Sequence, residues 1–96
     1  LEVLDPDVVL RVDFGPERSR ELHGARAVIE EAVTYAQRGL VMHPALINGT
    51  AGTVSTLDGD PFSVGTPTVR GGRIVAIDIL ADLERLRQLD LTVLGD

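Results

Sequence analysis

The sequence predicts an α+β fold: one curled antiparallel sheet packed on helices, in a single domain covering residues 1–96. Two observations lead there. Four strand-like runs between Leu40 and Leu80 are separated by Asn48-Gly49, Asp58-Gly59 and Gly71-Gly72, dipeptides that tolerate the positive φ angles of tight hairpin turns. Ahead of them, Ala25, Val28, Ile29, Ala32, Val33 and Ala36 recur at helical spacing, which marks one apolar helix face.

The elements follow in order. Leu1-Glu-Val-Leu4 reads as the end of a helix that stops near Asp5, because Pro6 disfavours helical geometry in the residue before it. On that reading the chain is a fragment of a longer protein and lacks its first helix. Val8 to Val12 is a strand, and Asp13-Phe-Gly-Pro-Glu-Arg-Ser-Arg20 is a polar loop. The helix spans Ala25 to Gln37, with Gly24 at its start and Arg38-Gly39 as a cationic last turn and C-cap. Its stripe is expected to pack against the sheet.

In the last strand of the meander, Arg73, Val75, Ile77 and Ile79 alternate with Ile74, Ala76, Asp78 and Leu80, so both faces are expected to be covered. Pro67 cannot donate to a ladder, which places its strand at an edge or at a bulge. Beyond the sheet, Leu83, Leu86 and Leu89 are spaced to face inward on a short amphipathic helix, with Glu84, Asp90 and Asp96 solvated. The chain then closes in Leu89-Asp-Leu-Thr-Val-Leu94.

Charge and cysteine content exclude several functions. Fifteen acidic residues outweigh nine basic ones, all arginine, for a net charge of −6. Nucleic-acid binding draws much of its affinity from neutralised phosphates, so this chain is a poor candidate for direct contact with DNA or RNA. The absence of cysteine removes disulfides and thiolate metal sites. No apolar run approaches the ~20 residues that span a bilayer, and no signal-peptide pattern is present, so a cytoplasmic location is expected.

Few residues offer chemistry. Asp78 is the one charge in an apolar run; burial there would raise its carboxyl toward a general base, and pairing with Arg70 or Arg73 would make it structural. His23 and His43 have no metal-ligand spacing, and no metal or cofactor is expected. Tyr35 lies beside the helix stripe, where packing outweighs acid chemistry.

Three local patterns carry a family resemblance. They are Asp5-Pro-Asp-Val-Val-Leu10 with His23-Gly24, Ile47-Asn-Gly-Thr-Ala-Gly52, and Gly72-Arg-Ile-Val-Ala-Ile-Asp-Ile79 running into Leu80-Ala-Asp-Leu-Glu-Arg-Leu86. In these the chain resembles the SnoaL-like C-terminal domain of extracytoplasmic-function RNA polymerase sigma factors of the actinobacterial type. More broadly it resembles the cone-shaped SnoaL-like and nuclear-transport-factor-like fold. It departs from the family where Asp13-Phe-Gly-Pro-Glu17 stands in place of a glycine-rich loop, and where Leu83 replaces a frequent proline.

The resemblance implies a non-catalytic regulatory domain that contacts the upstream sigma regions of its own polypeptide and, with them, the polymerase core, leaving DNA to those regions. The contact elements would be the 13–20 loop and the 82–94 tail, with Asp13, Phe14, Gly15, Asp82, Arg85 and Leu86 as the residues that touch a partner. In such a bacterial chain Asn48-Gly-Thr50 is a turn and not a glycosylation site. Two alternatives stand beside it: a small isomerase, cyclase or epoxide hydrolase using Asp78 in an apolar pocket, and a ligand-binding module whose ligand is unknown. An uncovered sheet face in so small a domain also predicts self-association, through the sheet or the Leu1–Leu4 stub, into a homo-oligomer.

Overall fold

A computed structural model describes residues 3–94. It contains β1 (Val3–Gly15), β2 (Arg18–His23), α1 (Ala25–Gln37), β3 (Val41–Ile47), β4 (Thr50–Leu57), β5 (Asp60–Arg70), β6 (Arg73–Leu80), α2 (Leu83–Leu86) and β7 (Leu91–Val93). The seven strands form one curled, unclosed sheet in the order β2-β1-β6-β5-β4-β3-β7. Every neighbouring pair is antiparallel except β1 and β6, which run parallel.

The meander forms as its turn residues dictate. Asn48-Gly49 (φ 50°, 82°), Asp58-Gly59 (φ 52°, 85°) and Gly71-Gly72 (φ 57°, 77°) all take two successive positive φ angles, the requirement of a type I′ turn. Pro67 pairs only with Ile77 of β6, because the β4 ladder ends at Thr53–Gly65, and a bulge follows between Thr68 and Val69. It therefore sits at a local edge beside a bulge.

The first twenty residues differ from the sequence reading in two places. Val3 and Leu4 are strand, paired with Arg73 and Ile74, where a helix end was expected; Leu1 and Glu2 lie outside the described residues. Pro6 is accommodated because the β1–β6 register shifts between Leu4 and Val9. Within that irregularity the Asp7 N–H donates to Asp5 Oδ1 at 2.8 Å, a local turn that needs nothing from proline. Segment 13–20 is not a loop. It is a hairpin in which Asp13 pairs with Ser19 and, across a bulge, Gly15 with Arg18. Its polarity reflects the position of β2 at the sheet edge, where charged side chains also discourage pairing with another chain.

Helix α1 has the predicted bounds, but its stripe is buried differently. Val28 is buried against Val8, Leu10 and Val12 of β1, whereas Ile29 and Val33 remain 53% and 50% exposed. Tyr35 packs as expected, its ring edge-on to Phe62 at 6.5 Å between centroids. On the opposite face of the sheet, a second core gathers Ala45, Ile47, Val54 and Val64 around Leu86. Leu86 and Leu89 thus turn inward as their spacing predicts, while Leu83 points outward and is 55% exposed.

The tail holds an element that the sequence reading did not resolve. β7 extends the sheet by pairing with β3, Ala45 opposite Val93 and Ile47 opposite Leu91. Asn48 locks this register: its N–H donates to the Asp90 carbonyl and its Oδ1 accepts from the Asp90 N–H, both at 2.8 Å.

Candidate functional site

Four of the six residues expected to touch a partner, although some seventy positions apart, come together at one end of β1. The alternation that buries Val8, Leu10 and Val12 toward α1 puts Arg11 and Asp13 on the other face. There Asp13 meets the tail. Its Oδ2 accepts from Arg85 Nη1 at 2.6 Å, its Oδ1 accepts from the Gly15 N–H at 2.9 Å, and its backbone carbonyl accepts from the Ala81 N–H at 2.8 Å. The Gly15 amide, and then the Arg85 guanidinium, hold the Asp13 carboxyl below its ordinary value.

Gly15 permits the close approach. Its φ of 122° is disfavoured for any residue with a Cβ, and a Cβ placed there would lie 3.2 Å from Asp82 Oδ2. Asp82 in turn caps α2 by accepting from the Glu84 N–H at 3.1 Å. The remaining two residues are placed otherwise. Phe14 packs against the α1-side core and carries the Arg18 guanidinium 5.6 Å above its ring centroid. Leu86 is buried and anchors α2 to the sheet from below.

Beside this junction a cleft of about 500 Å³ opens on the face away from α1. Val64, Leu80 and Leu89 contribute apolar surface to it, and Arg11, Asp78 and Arg85 contribute charge. Asp78 is therefore not buried among apolar side chains. Its side chain is 49% exposed and pairs with Arg11 at 3.3 Å, not with Arg70 or Arg73. The parallel register sets Arg11 directly opposite Asp78, while strand alternation sends Arg73, five residues away, to the other face. The burial that would make Asp78 a general base is missing here.

The histidines lie apart. His23 contacts Glu21 at 2.8 Å on the β2 edge, and His43 lies 3.2 Å from Thr56 across β3 and β4. Among the described residues no three His, Cys, Asp or Glu side chains converge as metal ligands, and no helix is long and apolar enough to cross a membrane. The roles of Arg11 and of Arg20, which pairs with Glu31 of α1 at 3.0 Å, were not legible in the sequence. Both depend on which strand lies beside which.

The architecture is that of the cone-shaped SnoaL-like and nuclear-transport-factor-like α+β proteins. Among solved structures, the chain is similar to the extracytoplasmic function sigma factor SigJ of Mycobacterium tuberculosis, with 25% identity and a TM-score of 0.66 over 88% of this chain and 36% of that one. It thus spans little more than a third of that sigma factor. A protein from work on de novo design of diverse pocket structures shares the fold, at 18% identity and a TM-score of 0.51 over 81% of this chain and 77% of that one. No family model matches the chain, and no curated protein matches it.

Proposed function

We propose that this chain is a non-catalytic regulatory domain of a sigma factor, acting in the cytoplasm on transcription initiation. Its partners are upstream sigma regions of the same full-length polypeptide and, with them, the RNA polymerase core. Nucleic acid is left to those regions, as the net charge of −6 favours. The observation that carries this reading is the junction of Asp13 and Gly15 with Asp82 and Arg85. It builds one half-exposed surface from two distant segments, next to a cleft that mixes apolar and charged groups. Such a mixed surface suits an adjustable contact within one polypeptide. The similarity to SigJ supports the same assignment.

The test begins with the gene, where the sequence ahead of Leu1 should encode two helical promoter-recognition regions. Purified polymerase core with the full-length protein should then show promoter-dependent transcription that changes when residues 82–94 are deleted. A start codon shortly upstream of Leu1, or transcription indifferent to the deletion, would overturn the assignment. In isolation the chain should also self-associate. The surface for this is the face of α1 around Ile29 and Val33, each at least half exposed, because the sheet takes up Val3 and Leu4 of the expected stub as strand beside β6.

A further inference from the structure

Asn48 is the only asparagine of the chain, and a glycine follows it. An asparagine in that context is open to attack by its own backbone. The Gly49 nitrogen bonds to Asn48 Cγ and gives up its proton to solvent, while ammonia departs from Cγ. Water then opens the resulting five-membered imide at one of its two carbonyls. One opening leaves aspartate; the other leaves isoaspartate, in which the main chain runs through the former side chain and is one carbon longer. Gly49 has no side chain to hinder the attack, and both residues of the turn are exposed.

The fold restrains this chemistry at two points. Ring closure needs Cβ and the Gly49 nitrogen eclipsed across the Cα–C bond of Asn48, whereas the two residues hold the left-handed pair of a type I′ turn, at φ 50° and 82°. Closure also needs the carboxamide to swing toward Gly49. It is pinned elsewhere: Oδ1 accepts from the Asp90 N–H, and the Asn48 N–H donates to the Asp90 carbonyl, both at 2.8 Å. These bonds exist only while β7 lies beside β3.

We propose that Asn48 is a site of spontaneous deamidation, shielded while β7 is docked, and that its conversion to isoaspartate releases β7 from β3. The strand has little else to hold it. It is three residues long, and Val93 and Leu94 at its end are half-exposed. At the far end of the ladder the Leu94 N–H donates to the Pro44 carbonyl at 2.8 Å, and proline has no N–H to return. Alternation makes Leu46 and Thr92 the bonded pair between that contact and the Asn48–Asp90 clasp. An extra main-chain carbon in the two-residue turn shifts the register at Ile47 and Thr50 and moves the acceptor away from the Asp90 N–H. Aspartate keeps an oxygen where Oδ1 stands, so it leaves the clasp closed. The site stands on this geometry whether or not the chain belongs to a sigma factor.

Incubation of the full chain in mildly alkaline buffer tests the proposal, with peptide mapping by mass spectrometry and chromatographic separation of the aspartyl and isoaspartyl forms. The folded chain should lose the Asn48 amide at least about tenfold more slowly than the same chain unfolded in urea. Thr92→Pro removes an N–H from the middle of the β7 ladder and leaves Asn48, Gly49 and Asp90 in place. It should speed the loss at least about threefold, the effect of one hydrogen bond. The isoaspartyl chain should exchange the amides of Leu46 and Thr92 faster than the natural chain, and Asn48→Asp should not. If Thr92→Pro fails to fold, the exchange comparison still decides. The proposal is overturned by an amide lost equally fast in the folded and unfolded chains, by a rate indifferent to a folded Thr92→Pro, or by an isoaspartyl chain whose Leu46 and Thr92 amides exchange as slowly as before.

Discussion

Arg85 Nη1 lies 2.6 Å from Asp13 Oδ2, and this contact joins the β1–β2 hairpin to the tail across 72 positions of sequence. Both side chains are about half exposed, at 53% and 43%, so the pair is screened by solvent and adds little to global stability. Its effect is to fix where α2 sits. Arg85→Ala and Asp13→Asn should each leave the melting temperature nearly unchanged while speeding amide exchange at Leu86 and Arg87. The double variant should behave like either single one. Additive effects in hydrogen exchange would show that the two residues act separately.

The pH dependence of this contact follows from the direction of the Asp13 shift. Its folded-state carboxyl lies below the ordinary value of 3.8. The contribution is therefore complete above that value and is lost only as pH falls through the lower folded value. Arg85 side-chain resonances should be constant between about pH 5 and 8 and change only in stronger acid. A midpoint near neutrality would mean that another group controls the tail.

Leu86 and Leu83, one helical turn apart, should respond very differently to truncation. Leu86 is 5% exposed in the core of β3, β4 and β5, and Leu83 is 55% exposed. Leu86→Ala should cost about 2–5 kcal/mol by urea denaturation, a large share of the roughly 5–15 kcal/mol of a small domain. Leu83→Ala should stay within about 0.5 kcal/mol.

Gly52 is the position least tolerant of a methyl group. A Cβ there would collide with the Gly65 carbonyl oxygen and with Ile47 Cδ1, 2.7 Å away. Gly52→Ala should destabilise by about 1–3 kcal/mol or more, because a backbone carbonyl cannot swing aside as a side chain can. Thermal melts of Gly52→Ala beside Gly59→Ala would separate crowding from strain, since nothing lies within 4 Å of a Cβ at Gly59, whose φ is 85°.

Self-association should run through α1. Ile29 and Val33, on adjacent turns, are each at least half exposed, and charge placed there should favour the monomer. Sedimentation of the natural chain should show concentration-dependent mass that Ile29→Lys with Val33→Lys abolishes. A natural chain that stays monomeric at all concentrations would remove this surface from consideration.

Local chemistry fixed in advance whatever depended on neighbours in sequence. The Asn48-Gly49, Asp58-Gly59 and Gly71-Gly72 turns, the bounds of α1 and the inward Leu86 and Leu89, though not the outward Leu83, follow from dihedral preference and periodicity. They need no knowledge of what lies across the sheet. Pairing between distant segments did need it. Val3 and Leu4 became strand because β6 offers them a parallel partner, and Asp78 found Arg11 because the register set them opposite one another. Asp13 and Arg85 could each be named from sequence, but only the return of the tail over β1 makes them one site. Ser55, Ser63 and Gly65 look like ordinary strand residues until the β4–β5 ladder sets them on the face of the sheet beneath α1.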